Sequence, residues 1–169
     1  MKDRFTLTAS LASLCVLSFA LSGCMQSAHL YPIQGPLSQQ TPPPIYSAKM
    51  TGVINSGGIT AKLANGEQFS GQWQAESANA LAKESNAGVK PPFNLSPEWD
   101  TVYGQGFYTQ HVLGAHLFVR TTLTGKQGGA LEAEMISQPV ESADPKDVSP
   151  PVIKGVAKDD KGNVYKVAF

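Results

Sequence analysis

The sequence predicts a single all-β domain, a small antiparallel barrel or two-sheet sandwich of about seven strands with one short helix. Three observations carry that expectation. From Tyr46 onward, short runs alternate between apolar and polar residues at period two. Glycine-bearing turns punctuate those runs, and Asn65-Gly66 is the strongest, because both residues tolerate positive φ. Finally, only Ser96-Pro97-Glu98 reads as a helix start, with a capping residue, an early proline and an acid in the first turn.

Taken in order, Met50–Asn55 is the first expected strand. Ile59–Leu63 and Glu67–Gln74 form a hairpin across Asn65-Gly66, with Phe69, Gly71 and Trp73 on one face and Gln68, Ser70 and Gln72 on the other. Residues 76–95 mix alanines with Asn79, Asn86, Gly88 and Pro91-Pro92, and read as a loop. A helix over Pro97–Tyr103 is expected to cover an end or a face, and Gly104 and Gly106 stop it. Phe107–Val112 and Ala115–Thr124 read as strands; in the latter Leu117, Val119, Thr121 and Leu123 oppose His116, Phe118, Arg120 and Thr122. Leu131, Ala133 and Met135 then alternate with Glu132 and Glu134, the acids keeping their face wet. Pro139–Pro151 is a loop, and Val152–Lys158 pairs with Asn163–Phe169 across a solvated turn. The expected core is Phe69, Trp73, Val119, Leu131, Tyr165, Val167 and Phe169. The hairpins around Gly66 and Gly162 align without gaps, which shared turn chemistry explains more simply than duplication.

The N-terminus is of a different kind. Lys2 and Arg4 precede an uncharged apolar or small run from Phe5 to Leu21. That run is short of the roughly 20 apolar residues a membrane helix needs, and fits a cleavable signal peptide over residues 1–23. Residues 24–45, with Pro32, Pro36 and Pro42-Pro43-Pro44, read as a proline-rich tether leading to a β domain over 46–169. Fully extended, roughly 20 such residues span on the order of 60 Å.

Leu21-Ser22-Gly23-Cys24 resembles the lipobox of bacterial lipoproteins. The resemblance implies cleavage between Gly23 and Cys24, acylation of Cys24 (palmitate or a similar chain) and attachment to a membrane through that lipid. Met25, where an aspartate would mark inner-membrane retention, implies sorting in a Gram-negative envelope to the outer membrane, facing the periplasm. Gly66-Glu67-Gln68-Phe69-Ser70-Gly71-Gln72-Trp73, Tyr103-Gly104-Gln105-Gly106 and the Gly155–Lys158 and Gly162–Tyr165 segments extend the likeness to small, functionally uncharacterised bacterial lipoproteins. Those proteins bring no activity with them.

Without the leader the chain keeps 11 basic and 12 acidic residues, a net charge of −1. That balance gives nucleic-acid binding no electrostatic support. Cys15 leaves with the leader and Cys24 carries lipid, so no disulfide is expected. His29, His111 and His116 match no zinc spacing, no serine sits in a Gly-x-Ser-x-Gly elbow, and no phosphate loop or calcium loop is complete. Hence neither an enzyme, a cofactor nor a metal is expected. The first functional expectation is a non-enzymatic structural or interaction module of the envelope with a protein partner. The second is a small-ligand or glycan-binding barrel whose mouth is lined by Trp99, Tyr103, Phe107 and Tyr108.

Overall fold

A computed structural model describes residues 24–53, 55–63, 66–77, 83–84, 86–88, 90–139 and 151–169. The leader, Asn65 and most of the Pro139–Pro151 loop lie outside these residues. The fold is mainly β: eight antiparallel strands in sequential order close into a barrel. They are β1 (Cys24–Gln34), β2 (Tyr46–Val53), β3 (Ser56–Lys62), β4 (Gln68–Ser77), β5 (Leu117–Gly125), β6 (Ala130–Gln138), β7 (Val152–Asp159) and β8 (Val164–Ala168). Helix α1 (Ser96–Tyr103) and one π-helical turn (Tyr108–Val112) lie between β4 and β5.

Seven of these strands follow the alternation in the sequence; β1 corrects it. The segment read as the start of a tether pairs with β2 from Cys24↔Gly52 to Leu30↔Tyr46, and with β8 from His29↔Ala168 to Gln34↔Val164. The β domain therefore begins at Cys24, not at residue 46. Proline did not prevent this, because the register shifts between Pro32 and Gln34, and a bulge tolerates a residue without an N–H. Inward Ala28, Leu30 and Pro32 are buried, whereas Ser27, His29 and Ile33 are exposed. His29 is thus a strand residue. Only a 3₁₀ turn over Pro36–Gln39 and the stretch before Tyr46 remain of the tether.

The interior is filled with side chains, as eight strands allow. Phe69, Val119, Leu131, Tyr165 and Val167 are buried as expected, and Trp73 and Phe169 pack half-buried against them. Ala28, Ala48, Ala61, Ala133 and Ala157 let the larger residues interdigitate. The outer faces of β2, β3 and β4 expose Ser47, Lys49, Thr60, Lys62, Ser70 and Gln72. A barrel spanning a membrane needs an apolar band there.

Short turns gather at one end. In three hairpins, Leu63, Gly125 and Asp159 each donate an N–H to the carbonyl four residues on, and accept one from Gly66, Gly128 and Gly162 respectively. Those glycines have φ of 81°, 93° and 80°, the left-handed residue that ends a three-residue hairpin loop. The same turn thus recurs in a third hairpin, around Gly128, beyond the two that align in sequence.

The turn after Asp159 exposes Asp160, Lys161 and Gly162 as expected, but Asp159 itself is not solvated. Its carboxylate is buried and accepts from the backbone N–H groups of Lys161 (3.0 Å) and Asn163 (2.8 Å), from Asn163 Nδ2 (2.8 Å) and from Tyr165 Oη (2.7 Å). Asn163 Oδ1 in turn accepts from Leu37 N at 2.9 Å, tying the 3₁₀ turn across this end. Asp159→Ala is expected to lower stability by about 2–3 kcal/mol, because several buried donors lose a charged acceptor. Urea unfolding of the two proteins measures it.

The connection between β4 and β5 folds back over the outside of the barrel rather than over an end. Leu95, Trp99 and Val112 pack there on outward-facing Phe118, Ile136 and Val156, forming a second core outside the wall. Ser96 does not cap α1; Asn94 Oδ1 accepts its N–H at 2.8 Å. Phe107–Val112, expected as a strand, is helical instead. Gly104 and Gly106 adopt positive φ, and Asp100 accepts the Tyr108 N–H at 3.0 Å, so the chain reverses after α1. Hydrogen bonds from the backbone N–H groups of Tyr108, Gly106 and Phe107 hold the Asp100 carboxyl below its ordinary pKa.

Candidate ligand-binding site

Among the described residues, the end of the barrel opposite the three glycine turns is open. A cavity of about 350 Å³ opens there, lined by the ends of six strands. Alternation explains the lining: each strand sends every second side chain inward, and near this end those are Gln26, Met50, Trp73, Ala75, Leu117, Val119, Met135, Ser137 and Ile153. Met50, Val119 and Met135 are buried. Deeper in the barrel the packing leaves a void of only about 10 Å³, at the lower limit for one water.

The cavity is apolar, with a few polar groups near its rim. Trp73 Nε1 donates to Thr51 O at 3.0 Å, which fixes the indole across the opening. Gln26 and Ser137 supply the other polar side chains of the interior; Thr51, exposed on the outer side of β2, gives its hydroxyl to Gly58 O at 3.3 Å. None of the described lining residues is titratable. Such a lining suits an uncharged hydrocarbon body with a polar group left at the mouth.

The aromatics expected to line a mouth do not. Trp99, Tyr103, Phe107 and Tyr108 sit on the outer wall, because their connection folds over that wall. Trp99 is fully buried. Its ring stacks on Tyr103 at 5.5 Å and on Phe107 at 5.8 Å; Tyr103 and Phe107 are 4.7 Å apart, and Phe107 meets His111 at 4.5 Å. Lys154 Nζ lies 5.3 Å from the Phe107 ring centroid, and Lys166 Nζ 5.4 Å from that of Tyr103. Tyr108 is half-buried in the same cluster. Burial raises the pKa of both tyrosines.

Beneath this stack lies Glu134, which was expected to be solvated. It is fully buried because the connection covers its face of β6. Glu134 Oε2 accepts from Trp99 Nε1 at 2.9 Å, and Oε1 from Arg120 Nε at 3.2 Å. Arg120 reaches Glu84 at 3.1 Å on its other side. Burial raises the pKa of Glu134, opposed by the hydrogen bonds from Trp99 and Arg120. A second covered acid, Glu98, accepts from Lys158 Nζ at 2.6 Å through Oε1, and its Oε2 is buried with no hydrogen-bond partner.

His111 and His116 share a shallow surface cleft with Lys154, whose described lining contains no carboxylate. Among the described residues no group of three or more His, Cys, Asp or Glu side chains is placed to hold a metal ion. No described helix is long and apolar enough to cross a membrane.

Sequence reasoning missed the cavity itself. Its signal was slight: polar Gln26 and Ser137 occupy inward positions at strand ends, where a fully packed barrel would place apolar side chains. No family model, no curated protein and no solved structure matches this chain.

Proposed function

We propose that this protein is a lipid-anchored, non-enzymatic binding protein of the cell envelope, which takes a small and mostly apolar ligand into the open end of its barrel. Cys24 is the lipid attachment site, and the outer membrane, on its periplasmic face, is the proposed location. The observation that carries the binding role is the cavity: about 350 Å³, with an apolar described lining, and within the volume range of small-molecule sites. A glycan would need a denser set of convergent polar groups than Gln26 and Ser137 provide among the described lining, so a hydrocarbon-like ligand is the better match.

A protein-docking role finds less support. The outer-wall aromatics that would make an adhesive patch are already stacked on one another and covered by Lys154 and Lys166.

The neutral, environment-sensitive dye N-phenyl-1-naphthylamine tests the proposal. The full-length protein is expected to bind one dye saturably with a rise in its fluorescence. Ala75→Phe, which places a ring in the cavity, is expected to weaken that binding at least tenfold while leaving the thermal midpoint within a few degrees. Non-saturable binding, or equal binding by the variant, would exclude the barrel end as the site.

A further inference from the structure

We infer that the open end of the barrel rests on the bilayer and that its occupant is an acyl chain of a membrane lipid. This deepens the proposal above and rests on its lipidation of Cys24.

The first support is the position of Cys24. It is a paired residue of β1, opposite Gly52, and the next residues along these strands include the lining residues Gln26 and Thr51. No spacer separates the attachment point from the mouth. A lipid on Cys24 therefore holds this end of the barrel within a residue or two of the bilayer surface.

The second support is the rim. Among the described residues, six large apolar side chains are notably exposed, and four of them lie at the strand ends on this side of the barrel: Met25 (64%), Val53 (62%), Val152 (48%) and Leu117 (36%). Leu117 lines the cavity, whereas Met25, Val53 and Val152 stand on the outer side of β1, β2 and β7, each next in sequence to the lining residues Gln26, Gly52 and Ile153. Exposed apolar groups collected in one place mark an interaction surface. The polar outer faces of β2, β3 and β4 stop the barrel from sinking further, so it stands on its rim.

The third support is the chemistry of the cavity. A described lining that is apolar and uncharged inside, with the polar side chains of Gln26 and Ser137 toward the mouth, divides space as a lipid does, with hydrocarbon inside and headgroup at the edge. The occupant is taken from the surrounding bilayer, because the anchor's own chains are what keep the protein attached, and one chain alone holds a protein only marginally.

The two tryptophans provide the test. Trp73 stands in the mouth, whereas Trp99, a residue of α1, is buried against the outer wall of the barrel. Lipidated full-length protein and a Trp73→Phe variant are reconstituted into phosphatidylethanolamine/phosphatidylglycerol vesicles whose acyl chains are brominated or unlabelled. Flotation with the vesicles and the mass of the acylated N-terminal peptide first establish anchoring. Brominated chains are expected to quench the wild-type emission by at least one third and that of Trp73→Phe by less than one tenth. Binding of the neutral dye in detergent, competed by a free fatty acid, reports separately on the cavity. If the protein floats and binds dye but both forms are quenched equally little, the mouth does not hold bilayer lipid. That result overturns this inference, including where the anchor's own chain fills the cavity, and leaves the binding role standing. Failure to float, with no acyl mass on Cys24, overturns the anchoring on which both readings rest.

Discussion

Glu134→Ala is expected to destabilise the fold by about 3–5 kcal/mol, the cost of breaking a buried ion pair by deleting one partner. The side chain of Arg120 is 8% exposed and keeps only Glu84, while the Trp99 N–H is left in an apolar wall with no acceptor. The midpoint of urea unfolding measures the loss. Replacing all three partners by apolar residues of similar size (Trp99→Phe, Arg120→Met, Glu134→Leu) is expected to recover most of it, because no buried polar group then lacks a partner. The network also predicts a pH dependence. Burial raises the Glu134 pKa, so the folded state holds this proton more tightly than the unfolded chain does. Its contribution to stability is present below the ordinary glutamate range and is lost as pH rises through the raised folded value. A wild-type midpoint that falls across that window, against a flatter profile for Glu134→Gln, is the expected result.

The second large effect concerns location. Cys24→Ser is expected to abolish metabolic labelling by a palmitate analogue and to remove the protein from the outer-membrane fraction. The magnitude follows from chain number. Each buried methylene contributes about 0.8 kcal/mol, and a single saturated chain binds with a constant of only about 10⁴ M⁻¹. The lipobox resemblance implies three chains on Cys24, which together would make attachment effectively permanent, so the expected change is from complete retention to none. Labelling that persists in the variant would show that the lipid is elsewhere. Backbone pairing of β1 does not need the thiol, so the barrel is expected to form in both proteins and the thermal midpoint to stay unchanged.

The fold class was legible because period-two alternation is a local property. Leu131, Ala133 and Met135 need no knowledge of the rest of the chain to be read as one face of a strand, and Gly66 and Gly162 mark their turns alone. Two strands escaped that logic in opposite directions. β1 carries weak apolar markers and a proline whose bulge is visible only against Tyr165 and Val164 of the last strand. Phe107–Val112 carries β-prone residues, yet tertiary contacts against α1 override that propensity. The burial of Glu134 was hidden for the same reason. Nothing adjacent in sequence says that a connection some 30 residues upstream folds over its face of the sheet. The cavity was the least legible feature, since its lining is assembled from the ends of six strands and its most informative residue, Gln26, looked like part of a spacer.

The seam between β1 and β8 sets the order in which the molecule can be completed. His29 pairs with Ala168 and Leu30 with Val167, so the first strand waits for the last. Until β8 arrives, the sheet has two open edges, and the interior face of β1 has no neighbour on one side. Loop closure over this distance makes the seam a slow, late event. The barrel consequently stays unsealed until the last residues of the chain are in place, whatever the rest of the sheet has already formed.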